Sequence, residues 1–244
     1  MRIISRLRRE RIAVASASLT LADRTLPVTV RCNPRARRMI LRIAPCSGAV
    51  VITVPSGVSV DDGVAFARSK SEWLRSRLGA LPRRIPFAPG AEIPLQGVPH
   101  RIRHDPAQPR RAVNAAGGEI VVGGTLGRLS DQVHAWLRNR AREALAPRVE
   151  GAAARIGRRP GRIAIRDQRT RWGSCAANGN LSFNWRLIMA PPVVLDYVVA
   201  HELAHLVERG HGPAFWRVVE TLTPEARNAR QWLSQHGSGL MLYG

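Results

Sequence analysis

The stretch VVAHELAHLVERGHGPAFW, residues 198–216, limits what this chain can fold into more than any other segment. On a helix, His201 and His205 stand one turn apart and project from one face. Around them lie Val193, Val194, Leu195, Val198, Val199, Leu203, Leu206 and Val207, and a helix that is apolar on nearly every side belongs in an interior. Two imidazoles and a carboxylate buried there without partners would cost several kcal/mol. A metal ion removes that cost, because two imidazole nitrogens at this spacing bind one zinc ion at about 2.0–2.1 Å. Glu202 falls on the adjoining flank, within reach of a metal-bound water but not of the metal. That is where a general base belongs.

His211 is the natural third ligand. Gly210 is expected to end the helix and turn the chain, so that the next residue folds back toward the metal. Three protein ligands leave a fourth position for water, which marks a catalytic site rather than a closed structural one. Phe215 and Trp216 are expected to anchor the turn that presents His211. Tyr197, one turn before His201, could donate to an oxyanion, with simple packing as the alternative. Asp196 points to the other side of the helix, toward its amino-terminal dipole. Cys175 is a soft donor in principle but reads as a small buried thiol. His100, His104, His134 and His236 lack ligand spacing and read as surface residues.

At 244 residues the chain can form one large domain or two small ones, each with a core. Nothing approaches 18 consecutive apolar residues, so no membrane-spanning helix is expected. The start, MRIISRLRRERIAVASASLTLA, is basic and then mildly apolar, but Ser16, Ser18 and Thr20 make a poor signal-peptide core. It reads as a short extension leading into a strand. Cys32, Cys46 and Cys175 are too few and too scattered for a disulfide framework and fit a reducing compartment. The 38 basic and 17 acidic residues give a net charge of +21, an excess that favours nucleic acid or another polyanion as partner. Lys70 is the only lysine, however, and the arginines are spread along the chain. Such lopsided usage points to coding bias, so charge alone does not establish that partner.

Residues 24–60 read as strands, RTLPVTVRC, RMILRIAP and GAVVITVP, separated by Asn33-Pro34 and Ser47-Gly48 turns. A helix near 61–79 comes next, with Asp61 or Asp62 as cap and Gly79 as stop. The proline- and glycine-rich segment 83–127 reads as hairpins of a β-rich amino-terminal half, and no repeat is visible. A long helix is expected from a Ser130 cap, with Val133, Trp136, Leu137, Ala141 and Leu145 along one stripe and a kink or split at Pro147. RIAIRDQ (162–168), RWGSC and GNLSFNWRLI read as strands, the last two joined at Asn178-Gly179. Asn184 and Arg186 alternate on that last strand, as cleft or solvated positions, and it is the expected edge for an extended substrate. Gly173 allows a close backbone approach, to substrate or to the core. Pro191 and Pro192 suit the first turn of the His201 helix, and a last helix covers about 223–235. The two halves are thus a β-rich region, 1–127, and a compact catalytic domain, 128–244.

Taken together, RTRWGSC, LSFNWRLIMAPPVVLDYVVAHELAHL and GHGPAFW resemble the YgjP-like metallopeptidases, which belong with SprT-like and WLM-type zinc peptidases. The resemblance is dense from Arg169 to about Trp232, including RQWLSQHG. The segment VRCNPRARRMILRI…VVITVP, with the SEWL helix after it, is similar to the family's amino-terminal region. The resemblance implies an α+β fold, zincin-like where the active-site helix packs on a small sheet, with one zinc ion on His201, His205 and His211. It assigns catalysis to Glu202. Related zinc peptidases also use a downstream glutamate as third ligand, which keeps Glu220 and Glu225 as alternatives. The activity expected is that of a cytoplasmic zinc metalloendopeptidase acting on protein or peptide substrates. Some SprT-like relatives are recruited to DNA, and a basic nucleic-acid-associated binding protein with a structural or vestigial zinc is the competing reading.

Overall fold

Strands β1 (Val14–Leu21), β2 (Arg24–Cys32), β3 (Ile40–Ile43) and β4 (Val50–Val54) form one sheet in the order β1-β2-β4-β3. Along β4 every second side chain is buried, the pattern of a strand with one face on a core. Pro27 sits in β2 where only β1 pairs with it, since pairing to β4 begins at Val28; a missing N–H is tolerated there. The computed structural model describes residues 14–21, 24–44 and 48–244. The basic start of the chain and the turn at Cys46 and Ser47 lie outside those residues.

The expected helix near 61–79 is two helices, α1 (Val60–Ser69) and α2 (Ser71–Gly79). Its cap is Ser59 rather than Asp61 or Asp62. The Ser59 hydroxyl accepts from the Asp62 N–H at 3.0 Å, while the Asp62 carboxylate accepts from the Ser59 N–H at 3.2 Å. This reciprocal box makes Asp62 the third helical residue. The Ser69 hydroxyl donates to the Phe66 carbonyl at 2.8 Å, a local bond that competes with the helix just before it breaks. Leu19, Val30, Ile52, Ala67 and Leu74 close a core within this first unit.

A second sheet, β5 (Glu92–Leu95), β6 (Val98–His104), β7 (Val113–Ala116) and β8 (Glu119–Val122), has the order β5-β6-β8-β7. Its outer pairs are antiparallel and its inner pair is parallel, as in the first sheet. Each sheet is succeeded by a helix, so one topology occurs twice although no sequence repeat marks it. Ile93, Ile102, Ile120 and Val122 share a core with Leu129, Val133 and Leu137. The Gln96 N–H donates to the Ile188 carbonyl at 2.7 Å. The shared core and this bond tie residues 83–127 to the carboxy-terminal part of the chain, and the two compact units are Met1–Pro82 and Arg83–Gly244. The expectation of a boundary near 127 missed this because the sheet's apolar face is completed by a helix that comes later in sequence.

That helix, α3 (Leu129–Arg155), runs unbroken through Pro147, and Ser130 lies inside it without capping it. An interior proline costs about 3 kcal/mol; burial of Leu145 and Val149 on either side offsets that. Strands β9 (Ile163–Arg166), β10 (Gly173–Cys175) and β11 (Leu181–Asn184) make the small sheet, in the order β10-β11-β9. A bond from the Ala176 N–H to the Asn180 carbonyl closes the β10–β11 loop, with Gly179 at φ +80°. This is a three-residue hairpin with glycine in the left-handed position. Residues 185–189 are a 3₁₀ helix rather than more strand, because the Asn184 side chain accepts from the Arg186 N–H at 3.0 Å and Trp185 turns wholly inward. Helices α4 (Pro192–Ala204), α5 (Pro213–Leu222) and α6 (Ala226–Leu240) complete the unit. The architecture is α+β, and among the described residues no helix is long and apolar enough to cross a membrane.

Candidate active site

Helix α4 opens on Pro192 and buries Val194, Leu195, Val198, Val199 and Leu203. It ends at Ala204, before the expected stop at Gly210. The last turn tightens through bonds from the Leu206 N–H to the Leu203 carbonyl and from the Val207 N–H to the Ala204 carbonyl. Gly210 is neither in the left-handed region nor crowded, so the turn does not depend on it. His201 lies in the final helical turn and His205 just beyond the helix end. The chain then returns to place His211 beside them.

One ring nitrogen from each of His201, His205 and His211 lies within 4.8 Å of the other two. Ring centroids are 5.2 Å apart for His201–His205, 5.1 Å for His201–His211 and 4.9 Å for His205–His211. Among the described residues no other group of three or more histidines, cysteines or carboxylates converges in this way, and Glu220 and Glu225 are not part of it. The Nε2 atoms of His201 and His211 are 3.3 Å apart. Ligands at 2.0–2.1 Å on a tetrahedral ion would be separated by about 3.4 Å, so this pair is spaced for a zinc-sized cation, with a His205 nitrogen within 4.8 Å of both. His205 Nδ1 lies 3.3 Å from the Glu208 carbonyl, a bond that fixes the ring and leaves Nε2 for a metal. Burial pushes the His201 pKa down to about 4, with the neighbouring imidazoles of His205 and His211 adding to the effect. It is neutral at pH 7, as a ligand must be.

Phe215 is fully buried, and its ring touches all three imidazoles at centroid distances of 4.7–5.0 Å. The Trp216 indole N–H donates to the His211 carbonyl at 3.0 Å. These two side chains hold the return of the chain, as their place in the sequence suggests. Tyr197 packs against His201 with centroids 5.9 Å apart. Asp196 serves α3 rather than its own helix dipole, accepting from Arg148 at 2.9 Å.

Glu202 is buried between α4 and the outer edge of β10. The Asn184 N–H donates to the Trp172 carbonyl and the Ala176 N–H to the Asn180 carbonyl. By antiparallel alternation, Gly173 and Cys175 therefore turn their backbone groups away from β11. The Cys175 N–H faces the Glu202 carboxylate and favours its charged form. A Cβ on Gly173 would stand 2.5 Å from Glu202 Oε1, so the close approach made possible by that glycine is to the glutamate. Burial pushes the Glu202 pKa up to about 7, against the opposing pull of Arg171 and of the Cys175 N–H. Sequence reasoning missed this contact, which no spacing rule signals.

Other expectations differ from the structure. Strand β11 is paired on both sides and has no free edge for a substrate; the sheet's edge strands are β10 and β9, and β10 is the one beside Glu202. Asn184 and Arg186 are buried rather than lining a cleft. Arg186 pairs with Asp167, donates to the Tyr243 carbonyl and lies 4.3 Å over the Trp185 ring. His134 is not a plain surface residue, since its ring packs edge-on against Trp185 at 4.9 Å.

No curated protein and no solved structure matches the chain. A family model, YgjP-like, metallopeptidase domain, matches residues 37–236. That match takes in part of the first unit and nearly all of the second, histidine cluster included, and the chain belongs to the YgjP-like metallopeptidase family.

Proposed function

We propose that this metallopeptidase is a zinc-dependent endopeptidase of zincin-like design, with one zinc ion on His201, His205 and His211 and Glu202 as general base. The convergence of three imidazole nitrogens within 4.8 Å of one another, beside a buried carboxylate, is the observation that carries the reading. When bound, zinc lowers the pKa of a water toward about 7 and polarises the scissile carbonyl. Glu202 takes the proton of the attacking water and returns it to the leaving amine. The Cys175 N–H and the Gly173 backbone hold its carboxylate in place for both transfers. The outward backbone groups of β10 that Glu202 leaves free pair with an extended peptide and align the scissile bond across the site. Cys32 and Cys175 are free thiols, in keeping with a reducing cytoplasmic setting.

Glu202→Gln tests the reading directly. The variant should bind zinc as the wild type does and lose peptide hydrolysis. Undiminished turnover by Glu202→Gln would remove Glu202 from the mechanism.

A further inference from the structure

Beside the histidine cluster lies a cleft of about 410 Å³. Cys175 and Ala177 line one side of it, and His205, Leu206, Val207 and Arg209 the other. It shares His205 with the cluster and Cys175 with the outward edge of β10. A chain lying on that edge, with its carbonyl at the cluster, therefore projects a neighbouring side chain into the cleft.

Apart from His205 and Arg209 the lining side chains are small or apolar, and no carboxylate lines the cleft. The ion pairs formed among the described residues use Arg103, Arg140, Arg148 and Arg186; Arg209 is in none of them. Its positive charge reaches the Cys175 thiol. Two further guanidiniums without a carboxylate partner flank the site. Arg171 acts on Glu202, and Arg230, 4.9 Å over the Trp216 ring, acts on His201 and Tyr197. In an arginine-rich chain a nearby arginine means little by itself. Three arginines in no ion pair among the described residues, from three segments around a cleft that no carboxylate lines, set up a field that favours negative charge there, with the exposed Glu208 next to Arg209 opposing it in part.

We propose that this cleft is a substrate subsite and that Arg209 makes it select an aspartate or glutamate side chain adjacent to the scissile bond. The inference rests on the peptidase reading of the neighbouring cluster. Leu206 and Val207 take the methylenes, and the guanidinium takes the carboxylate through paired N–H donors.

The test compares zinc-loaded wild type, Arg209→Gln and Arg209→Glu on a randomised peptide library, with zinc content measured for each. A parallel binding arm measures fluorescence anisotropy of two decapeptide pools on Glu202→Gln, one pool carrying a single glutamate and the other a glutamine in its place. The wild type should favour acidic residues at one position flanking the cut. Arg209→Gln should lose roughly tenfold of that preference, and Arg209→Glu should turn it toward lysine or arginine. Glu202→Gln should bind the glutamate pool more tightly, with the difference shrinking in high salt. Cleavage without acidic preference, or with a preference that Arg209→Glu leaves unmoved, overturns the subsite. If the wild type cuts no peptide at all, the peptidase reading fails instead. Equal affinity for the two pools then overturns the subsite as well.

Discussion

Replacing Gly173 with alanine moves Glu202, the proposed general base, without mutating it. The added Cβ would stand 2.5 Å from Glu202 Oε1, 2.6 Å from its Cγ and 2.8 Å from its Cδ. Non-bonded carbon atoms settle at about 3.5–4.0 Å, so the carboxylate has to retreat by about 1 Å. Gly173 does not occupy the left-handed region, and alanine there carries no backbone strain. The loss of unfolded-chain freedom stabilises the fold by about 0.4–1 kcal/mol, against roughly 1–3 kcal/mol of crowding. The net is a loss of roughly 0–2.6 kcal/mol of stability, which melting reads separately, while a misplacement of this size costs about 100-fold in rate, or about 2.7 kcal/mol of transition-state stabilisation. Steady-state peptide hydrolysis, zinc content and thermal melting should be read on the same preparation. The expected result is kcat down about 100-fold, KM little changed and zinc retained. Gly151→Ala, inside α3 with nothing within 4 Å of the new methyl, is the silent control. Wild-type kcat in a stable, zinc-loaded Gly173→Ala would refute the idea that this contact sets the base. Zinc lost together with activity would show that the whole site collapses.

Arg186→Met should destabilise the second unit by roughly 1–2 kcal/mol in urea titrations, because it strips a buried cation from the half-exposed Asp167 and from the Tyr243 carbonyl; a loss within experimental error would contradict the role given to this cation. Burial tends to raise the Asp167 carboxyl, but the hydrogen bond and charge of Arg186 outweigh it and hold the pKa below the usual range. The stability this provides is complete above the ordinary aspartate value near 3.9 and is lost as pH falls through the depressed folded value. Acid titration of Arg186→Met should show a flatter limb than the wild type. Chelation should lower the melting temperature, and zinc at 1,000 times its Kd should stabilise by about 4.1 kcal/mol. His211→Ala should abolish that shift, and identical melting with and without chelator would mean that the imidazoles hold no metal.

The histidine site is legible in the sequence because its chemistry is local. His201 and His205 are one helical turn apart, and apolar neighbours make them costly without a partner. His211 comes within a few residues, and Phe215 and Trp216 hold it as their position suggests. Features decided by distant parts of the chain are not legible in this way. LSFNWRL reads as strand by alternation, yet Asn184 caps its own backbone and ends the strand. Whether β11 is an edge depends on β9, which pairs with it in parallel from eighteen positions upstream. Ser59 lies one turn before the apolar spacing that marks the helix, and Asp62 reads as the cap when it is the other half of the box. The repeated sheet topology escapes notice because hydrogen-bonding order leaves no mark on residue identity.

The three clustered histidines lie within residues 201–211, whereas the groups that set Glu202 belong to β10, on a different element and far upstream. The entropy lost in closing a loop grows with its length, so bringing the three histidines together costs less chain entropy than bringing β10 to Glu202. A copy in which β10 fails to dock on α4 would therefore keep the three histidines close in sequence and lack the Gly173 contact that positions Glu202.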